Sequence, residues 1–475
     1  MGAGLFLAAC GDNGTADSDG GIDGGSADGG DARVPDATID AQPDSATADA
    51  GLPAPKLVDS DDVTAAIRPR IAVNASGRAL AVWLANCTGT NCTEVWGNSY
   101  VNGSWGTATK LSTLTGNIRA SAGVEYPDVA IDSAGVGLAG WHQEDATPRQ
   151  RVVVARWTGT AWVAPELLDN NTARARRVRV AAGNGTAVAV WEQGDAAASN
   201  RVFAARFSGT TWSPGARIET NEVSTVAISP DVGMDPQGNA TAAWVQTTRA
   251  GNNEMWANRL DGTSGNWGTA VVIGTDPNGS AVSPSVAVSA NGTAIVVWNE
   301  FDTTSPVGGS RFNIKANRWS GTAWGTAQVS VENSTSRTND PLAAIDATGA
   351  GFAAWPIEMS PNVSTVANTM SASGTWGTLQ PVEQFSEDTN NVHVGAGNGN
   401  ALVVWSQVTS SQNGHIKGTF FNGSAVGPVL AIENQDGTAT DCDVGMDAQG
   451  LAHVIWIQNI GPSNRSDVFS ATIRP

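Results

Sequence analysis

Residues 70–83 read RIAVNASGRALAVW, and this arrangement of two short apolar segments around a turn recurs seven more times along the chain. In each copy a glycine lies six residues before a tryptophan. The pairs are Gly77/Trp83, Gly135/Trp141, Gly185/Trp191, Gly238/Trp244, Gly292/Trp298, Gly349/Trp355, Gly399/Trp405 and Gly450/Trp456. Successive tryptophans are on average about 53 residues apart, and a constant period of this length indicates a repeat architecture.

Each copy predicts a β-hairpin. In six copies a short polar residue lies three residues before the glycine, where its side chain caps a turn while the glycine takes the left-handed conformation. The second segment is apolar on both faces, as in sheets that are buried on both sides. The capping residues therefore have a structural role, and their carboxylates are not predicted to be catalytic acids: Asn74, Asp132, Asp235, Ser289, Asp346 and Asp447.

Two further strands complete each repeat. A third strand such as RVVVARW (residues 151–157) follows the hairpin, and a turn with a second tryptophan precedes a fourth strand such as PELLD (165–169). Four antiparallel strands repeated in this way predict an all-β, eight-bladed β-propeller over residues 55–475. The last repeat lacks a fourth strand, so residues 55–59 are predicted to complete that blade and to close the ring.

The N-terminal residues differ in composition from the repeats. Residues 1–10, MGAGLFLAAC, resemble the end of a bacterial lipoprotein signal, in which the cysteine of the lipobox (here Cys10) becomes the lipidated N-terminus. No Lys or Arg precedes Arg33, which predicts a translation start upstream of Met1. Residues 11–54 are rich in Asp, Gly and Ala and predict a disordered tether. The alternative is a cytosolic tail in which LAAC occurs by chance.

Charge and cysteine content exclude several classes of function. The formal net charge of −19 argues against binding to a nucleic-acid backbone, which requires a basic face. Cys87 and Cys92 predict a short loop disulfide in an exported protein, and Cys442 predicts a small buried residue. The spacing of the four histidines fits no metal site, so neither a metal nor a cofactor is predicted: His142, His393, His415 and His453.

The turn before the second tryptophan resembles the Asp-box of bacterial-neuraminidase-type repeats, Ser-x-Asp-x-Gly-x-x-Trp. Three copies keep the glycine three residues before the tryptophan: Gly159/Trp162, Gly209/Trp212 and Gly321/Trp324. At the position of the motif's aspartate these copies have Trp157, Phe207 and Trp319, so the motif is degenerate. The resemblance implies the large, mostly uncharacterised group of exported bacterial propellers, and it does not imply a sialidase.

Aromatic and amide side chains recur at fixed positions in the repeats. The periodic placement of the 18 tryptophans favours core packing over sugar-binding platforms. A glutamine, or in one blade a glutamate, follows the blade tryptophan by two residues and allows two interpretations. A recurring hydrogen bond to a neighbouring blade is favoured over a polar collar that binds a ligand. These residues are Gln143, Gln193, Gln246, Gln407, Gln458 and Glu300.

Two blades depart from the repeat where the innermost strand begins, near the mouth of the central channel. Most blades have a proline eight residues, or an apolar residue six residues, before the turn glycine, whereas blade three has Arg177 and Arg179 and blade seven has Asn391 and His393. Arg179 either binds an anion or acidic sugar, or pairs with Glu125 or another carboxylate. The ion pair is favoured, because Arg is rarely buried without a partner.

A glycan-cleaving enzyme needs an anion-binding Arg cluster, a nucleophile and an acid. Only Tyr126, beside Glu125, is well placed as a nucleophile, and the Arg set is irregular. We therefore predict a monomeric, non-catalytic binding or scaffold lipoprotein at the outer membrane or cell surface, whose rim and channel mouth contact a protein or polysaccharide. The alternatives are a sialidase-like or other glycan-cleaving enzyme and an outer-membrane assembly factor, because another lipoprotein group also uses eight-bladed propellers.

Overall fold

The computed structural model describes residues 52–475 apart from short internal gaps. The gaps are 60–64, 88–92, 115–125, 146–148, 170–172, 195–199, 220–225, 249–250, 276–278, 303–310, 327, 333–335, 360–361, 384–386, 409–413, 434–436 and 461–464. Cys10, the signal segment and nearly all of the predicted tether lie outside the described residues, as do Cys92 and Glu125. No helix in the described part of the chain is long and apolar enough to cross a membrane.

The described strands form eight antiparallel sheets, which confirms the predicted eight-bladed propeller. Blade one comprises β2 (Ala66–Val73), β3 (Ala79–Asn86), β4 (Thr93–Val101), β5 (Ser104–Trp105) and β6 (Thr109–Lys110). Blade two comprises β7 (Asp128–Ile131), β8 (Gly137–Glu144), β9 (Gln150–Trp157) and β10 (Glu166–Leu167). Blade three comprises β11 (Ala175–Gly183), β12 (Thr186–Gly194), β13 (Asn200–Phe207) and β14 (Ala216–Arg217). Blade four comprises β15 (Ala227–Met234), β16 (Ala240–Thr247), β17 (Asn253–Leu260) and β18 (Val271–Gly274).

The remaining four blades repeat the same order from the innermost strand outward. Blade five comprises β19 (Gly279–Val288), β20 (Ala294–Asp302), β21 (Arg311–Trp319) and β22 (Val329–Ser330). Blade six comprises β23 (Leu342–Ile345), β24 (Gly351–Met359), β25 (Asn362–Met370) and β26 (Gln380–Pro381). Blade seven comprises β27 (Asp388–Gly397), β28 (Asn400–Val408), β29 (Gly414–Phe421) and β30 (Leu430–Ala431). Blade eight comprises β31 (Ala439–Met446), β32 (Ala452–Ile460), β33 (Arg465–Ile473) and the N-terminal β1 (Lys56–Leu57).

The innermost strands make the ring continuous. Each one contacts the innermost strand of the next blade, and β31 of blade eight contacts β2 of blade one. The tryptophans that end the second strands lie between the blades, and all eight are at most 2% exposed. Each aromatic ring of this size removes roughly 200 Å² of surface from water, so the predicted packing role of these residues is confirmed.

The inner hairpins turn as predicted. All eight turn glycines have positive φ, from 69° at Gly185 to 90° at Gly349. Asp132 Oδ1 accepts the Val136 backbone N–H at 2.9 Å within its own turn, while its Oδ2 accepts the Gly185 N–H of blade three at 2.8 Å. The carboxylate therefore caps its own turn and that of the next blade, which has no capping residue of its own. Asp346 likewise accepts the Gly399 N–H of blade seven at 3.1 Å.

The N-terminal strand completes blade eight, as predicted. Lys56 and Leu57 pair with Ser470 and Phe469 of β33. Val58 is 1% exposed and its N–H donates to the Val468 carbonyl at 2.8 Å. The side chain of Asp59 extends the contact, because its Oδ2 accepts the Val468 N–H at 3.0 Å.

Asparagines on the third strands link neighbouring blades, a feature that the sequence analysis did not identify. The Nδ2 of Asn98 in blade one donates to the Val58 carbonyl of blade eight at 2.7 Å. The same contact to the preceding blade is made by Asn258 to Ile218 (3.0 Å), Asn317 to Ile273 (2.7 Å) and Asn368 to Val331 (2.7 Å). Asn98 thus fixes the terminal strand to the first blade as well as to the last.

Candidate functional site: the channel mouth

A bulge at the start of the innermost strand orients side chains toward the channel mouth. In six blades the register between the first two strands shifts at this point, for example between Ile67 and Arg70 of β2. Seven blades have a non-glycine residue with positive φ here: Arg68 (55°), Arg177 (54°), Ser229 (54°), Ser283 (50°), Asp340 (30°), Asn391 (51°) and Asp441 (49°). Glycine takes this conformation without strain, whereas other residues pay about 1 kcal/mol or more.

We call these seven residues and Tyr126, which occupies the corresponding position of blade two, the mouth ring. Although the backbone conformation repeats, the side chains differ in charge and size from blade to blade. A purely structural hydrogen bond would be expected to repeat the same residue type, as the turn-capping residues do. The variation indicates that the ring provides a chemically varied, polar surface around the channel.

A second ring of side chains lies one step deeper in the channel. In each blade it is formed by the residue of the innermost strand that pairs with the residue directly before the blade tryptophan. From blade one to blade four the charge of this residue alternates between positive and negative. Blades seven and eight add one basic and one acidic residue. This channel belt consists of Arg70, Asp128, Arg179, Asp231, Ser285, Leu342, His393 and Asp443.

Arg179 and His393 belong to this belt, so the sequence alignment that placed them at positions that are apolar in other blades is wrong. Blades three and seven turn with only two residues, as at Asn184 and Gly185, whereas the other hairpins have longer turns. The shorter turn moves the strand register by one residue relative to the glycine. Arg179 therefore corresponds to Arg70 and Asp128 of other blades and continues a charged ring.

The carboxylates of the belt also hold the ring together. Asp128 Oδ2 accepts the Val180 N–H at 2.7 Å, Asp231 Oδ2 accepts the Val286 N–H at 2.7 Å, and Asp443 Oδ2 accepts the Ile71 N–H at 3.0 Å. Each bond links one innermost strand to that of the next blade.

Arg177 forms an ion pair with Glu192 of its own blade, whereas the ion pair predicted from the sequence concerned Arg179. Its Nη1 lies 2.8 Å from Glu192 Oε1, and Arg176 Nε lies 3.1 Å from the other oxygen of that carboxylate. Glu192 is 1% exposed and also accepts the Ser229 N–H at 2.6 Å. The sequence analysis missed Glu192, although blade three alone has an acidic residue directly after its blade tryptophan.

Arg179 interacts electrostatically with Asp128 and Asp231, one on each neighbouring blade. Burial raises the pKa of the Asp128 carboxyl, and the charge of Arg179 opposes this shift. Burial likewise raises the pKa of Asp231 to about 6, again against the attraction of Arg179. The charge of Arg179 therefore opposes the rise in pKa of both acids, together with hydrogen bonds from the backbone N–H groups of Val180 and Val286 and, at Asp128, the charge of Arg70.

Tyr126 joins the two ends of the ring at the mouth. Its hydroxyl donates to Asp441 Oδ1 at 3.2 Å, and Asn391 Nδ2 donates to the same oxygen at 2.6 Å. The guanidinium carbon of Arg70 lies 3.8 Å from the centre of the phenol ring, and that of Arg68 lies 5.4 Å away. Burial, followed by the charge of Asp441, raises the pKa of Tyr126 to about 12, so the phenol is protonated at neutral pH.

The histidines occupy separate sites. His393 Nδ1 lies 2.8 Å from Asp443 Oδ1 in the channel belt. Burial opposes ionisation of Asp443, but the attraction and hydrogen bond of His393 lower the pKa of this carboxyl overall. His453 instead packs edge-on against Tyr100 of blade one, with ring centres 4.9 Å apart. Within the described ranges, no three His, Cys, Asp or Glu residues are grouped to hold a metal ion.

The glutamines after the blade tryptophans form hydrogen bonds inside their own blades. A hydrogen bond recurs at this position, as in the favoured interpretation, and the partner that the structure shows is the tryptophan of the same blade, whereas a partner on a neighbouring blade was predicted. Residues two apart on a strand share a face, so each side chain accepts the indole N–H of its own tryptophan. The distances are 3.1 Å for Gln143, 2.8 Å for Gln193, 3.1 Å for Gln246, 2.8 Å for Glu300, 3.5 Å for Gln407 and 3.0 Å for Gln458.

Cys87 lies in a loop of blade one, whereas Cys442 lies on the innermost strand of blade eight, between Asp441 of the mouth ring and Asp443 of the channel belt. Cys87 is disulfide-bonded, and since Cys92 lies outside the described residues, their pairing stays a prediction. Cys442 is a free, fully buried thiol, as expected, and its Sγ contacts the Asn391 carbonyl at 3.2 Å.

Comparison with known proteins finds only solved structures of low sequence identity. No family model and no curated protein matches it. Similar solved structures include the polysaccharide lyase Uly1 (TM-score 0.48, 9% identity, covering 79% of this chain and 93% of that one). An α-L-arabinofuranosidase of Fusarium graminearum has a TM-score of 0.43 at 10% identity and covers 89% and 98% of the two chains. The Hadza microbial sialidase Hz136 has a TM-score of 0.38 at 13% identity, with 83% and 76% covered. At these identities the likeness concerns the fold alone.

Proposed function

We propose that the protein is a non-catalytic binding protein of the bacterial cell envelope whose channel mouth binds an acidic polysaccharide. The mouth ring is the observation that carries the proposal. Seven blades hold a side chain at a backbone position where glycine would remove the strain, and these side chains differ in chemistry. A strained backbone position that carries different polar side chains in different blades is typical of a surface that recognises a ligand.

The arginines of blade one support an acidic ligand. Among the described residues neither Arg68 nor Arg70 has a carboxylate at ion-pair distance, although Arg70 interacts electrostatically with Asp128 and Asp443 of the belt, and the buried Nη1 of Arg68 has no hydrogen-bond partner there. Both guanidinium groups lie over Tyr126, which fixes their position beside the mouth. A carboxylate of a uronate or sialate unit would satisfy these donors with paired hydrogen bonds.

Binding to a glycan array tests this assignment. The full chain is expected to retain glycans that bear carboxylates and to leave neutral glycans unbound. Arg68→Ala and Arg70→Ala should each weaken binding about tenfold, because a hydrogen bond to a charged group contributes roughly 1.5–3 kcal/mol. Arg474→Ala, which removes an exposed arginine next to the C-terminal residue, is the matched control and should bind normally. Equal retention of neutral and acidic glycans, or unchanged binding by both mouth variants, would contradict the proposal.

The contact between Tyr126 and Asp441 favours glycan cleavage as a second candidate. A phenol next to a carboxylate, with two arginines nearby, brings together a nucleophile, its base and an anion-binding group. The high pKa of the phenol requires Asp441 to accept its proton during attack. If the protein cleaves a bound glycan, Tyr126→Phe should abolish the release of reducing ends and preserve binding. Intact oligosaccharides after prolonged incubation with the unaltered protein would exclude this candidate.

The lipobox-like LAAC supports attachment to the membrane through Cys10, with residues 11–54 as the tether. Expression of the chain behind a complete bacterial lipoprotein signal, with labelled palmitate, should tag the protein, and Cys10→Ser should remove the label. Labelling that persists in the variant would refute the anchor and, with it, the envelope location.

A further inference from the structure

In blades two, three and five, three residues lie side by side across the blade on the face that carries the blade tryptophan. The first follows that tryptophan by two residues, and the strand register places the other two beside it. In blade three this row consists of Gln193, Arg201 and Glu219, with Arg201 Nε 4.0 Å from Glu219 Oε1. In blade two Arg151 lies in the middle, and its Nε is 2.6 Å from Asp169 Oδ2. A guanidinium thus neutralises the carboxylate of both rows.

Blade five has the same row with two acids. It consists of Glu300, Asn313 and Glu332, which are 1%, 7% and 4% exposed. Asn313 lies where the other two blades have arginine, and Glu300 lies where they have glutamine. No basic residue belongs to this row in the described part of the chain. Two carboxylates in the interior of a blade are costly unless a cation or a proton neutralises them.

One oxygen of each of these side chains is buried and accepts no hydrogen bond from the described chain. These atoms are Oε1 of Glu300, Oδ1 of Asn313 and Oε1 of Glu332. The side chains themselves have other contacts, and the second carboxylate oxygen of Glu300 accepts the Trp298 indole N–H at 2.8 Å. A proton shared by two of the three oxygens would leave the third without a donor, whereas a metal ion can bind all three. The row therefore favours a metal ion over a protonated glutamate.

We propose that the row of blade five binds a calcium ion. Carboxylate and amide oxygens, without nitrogen or sulfur ligands, are the donor set that calcium prefers, and calcium accepts irregular geometry. Adjacent strands are about 4.8 Å apart, so Glu300 and Glu332 can reach one ion beside Asn313 from its two sides. The ion supplies the positive charge that Arg151 and Arg201 supply in blades two and three, and it holds β22 against β20 and β21. This site does not depend on the glycan proposal.

Thermal melting of the full chain, treated with EDTA and then titrated with calcium chloride, tests the site. Calcium at about 10 mM should raise the melting temperature by about 2 °C, because an ion that binds only the folded state stabilises it. The expected dissociation constant is on the order of 0.1–1 mM, as in other exported calcium modules. Magnesium chloride at the same concentration controls for screening of the net charge of −19 and should have less than half this effect. Melting reports only ions that bind the folded propeller, so calcium held by the Asp-rich residues 11–50 does not contribute.

Variants of the row locate the ion. Glu332→Gln should remove the response to calcium, whereas Glu433→Gln, which changes the same position of blade seven, should keep it. The double variant Glu300→Gln, Asn313→Arg reproduces the row of blade three. It should fold, melt at or above the temperature of the calcium-bound protein and show no response to calcium.

The proposal is overturned if calcium leaves the melting temperature of the unaltered chain unchanged, or if magnesium acts as strongly as calcium. It is also overturned if folded Glu332→Gln responds to calcium as the unaltered chain does. If Glu332→Gln fails to fold, a calcium response that persists in the folded double variant overturns the proposal instead.

Discussion

Removal of residues 1–62 is expected to lower the melting temperature by roughly 5–10 °C or to cause aggregation, whereas removal of residues 1–50 should leave it within about 1 °C. The longer deletion removes β1 and with it the contacts of Val58 and Asp59. Burial of Val58 contributes about 2 kcal/mol. The Val468 N–H then loses its partner Asp59, and the Asn98 amide loses one of its two acceptors, at about 1–3 kcal/mol for each donor left unpaired in the interior.

Circular dichroism melts of both truncations at equal concentration provide the measurement. Asn98→Ala in the full chain is a useful intermediate, because it keeps the pairing of β1 with β33 and removes the contact with Val58, together with the hydrogen bonds of Asn98 with Gly106 and Ser99 inside blade one. It should lower the melting temperature by less than the long deletion. If the two truncations melt together, the N-terminal strand does not close the ring.

Arg179→Ala should lower the free energy of unfolding by about 2–3 kcal/mol at pH 8. The loss of one partner of a fully buried ion pair typically costs about 3–5 kcal/mol. The smaller value is expected because Asp128 and Asp231 are partly exposed to the channel. Without the arginine, the pKa values of both acids rise further, and both must ionise beside each other at pH 8. The folded-state pKa of Asp231, about 6, already lies above its ordinary value. Its contribution to stability is therefore present below about pH 4 and is lost as the pH rises through 6.

The pH dependence separates this role from ligand binding. At pH 4 the carboxyls of Asp128 and Asp231 are mostly neutral, so the stability of Arg179→Ala should approach that of the unaltered protein. Urea unfolding at pH 4 and pH 8 measures the free energy of unfolding of both proteins. Arg179→Lys keeps the charge and should recover most of the loss at pH 8. A loss of glycan binding at unchanged stability would instead make Arg179 a ligand-binding residue.

The architecture was predictable because its signals are local and repeated. The glycine and tryptophan of each hairpin are six residues apart, so the register could be read eight times, and the missing strand of the last repeat indicated the closure. The positive φ values at the mouth gave no such signal, since residues such as Arg68 and Ser229 rarely adopt them. Their contacts also depend on ring closure: Tyr126 and Asp441 meet across blade one although 315 residues separate them.

The sequence did not reveal that Arg179 belongs to the channel belt, and the reason is different. The two-residue turn at Asn184 and Gly185 keeps the spacing from glycine to tryptophan. It shortens by one residue the distance from the innermost strand to the glycine. Sequence alignment on the glycine therefore displaced Arg179 by one position and concealed its relation to Arg70 and Asp128. The acidic residue directly after the blade tryptophan marks Glu192 in the sequence, but its contacts with Arg176 and Arg177 are visible only in the folded ring.

The closing strand also sets the order of events during biosynthesis. Lys56 and Ser470 are 414 residues apart, so β1 has no partner until nearly the whole chain has been made. At about 5–20 residues per second this delay is roughly 20–80 s. During that time β1 is an unpaired edge, but it is only two residues long and one of them is lysine, and both features hinder pairing with other chains. A chain released from the ribosome before β33 is made would have an open ring, because β1 would lack the strand with which it pairs.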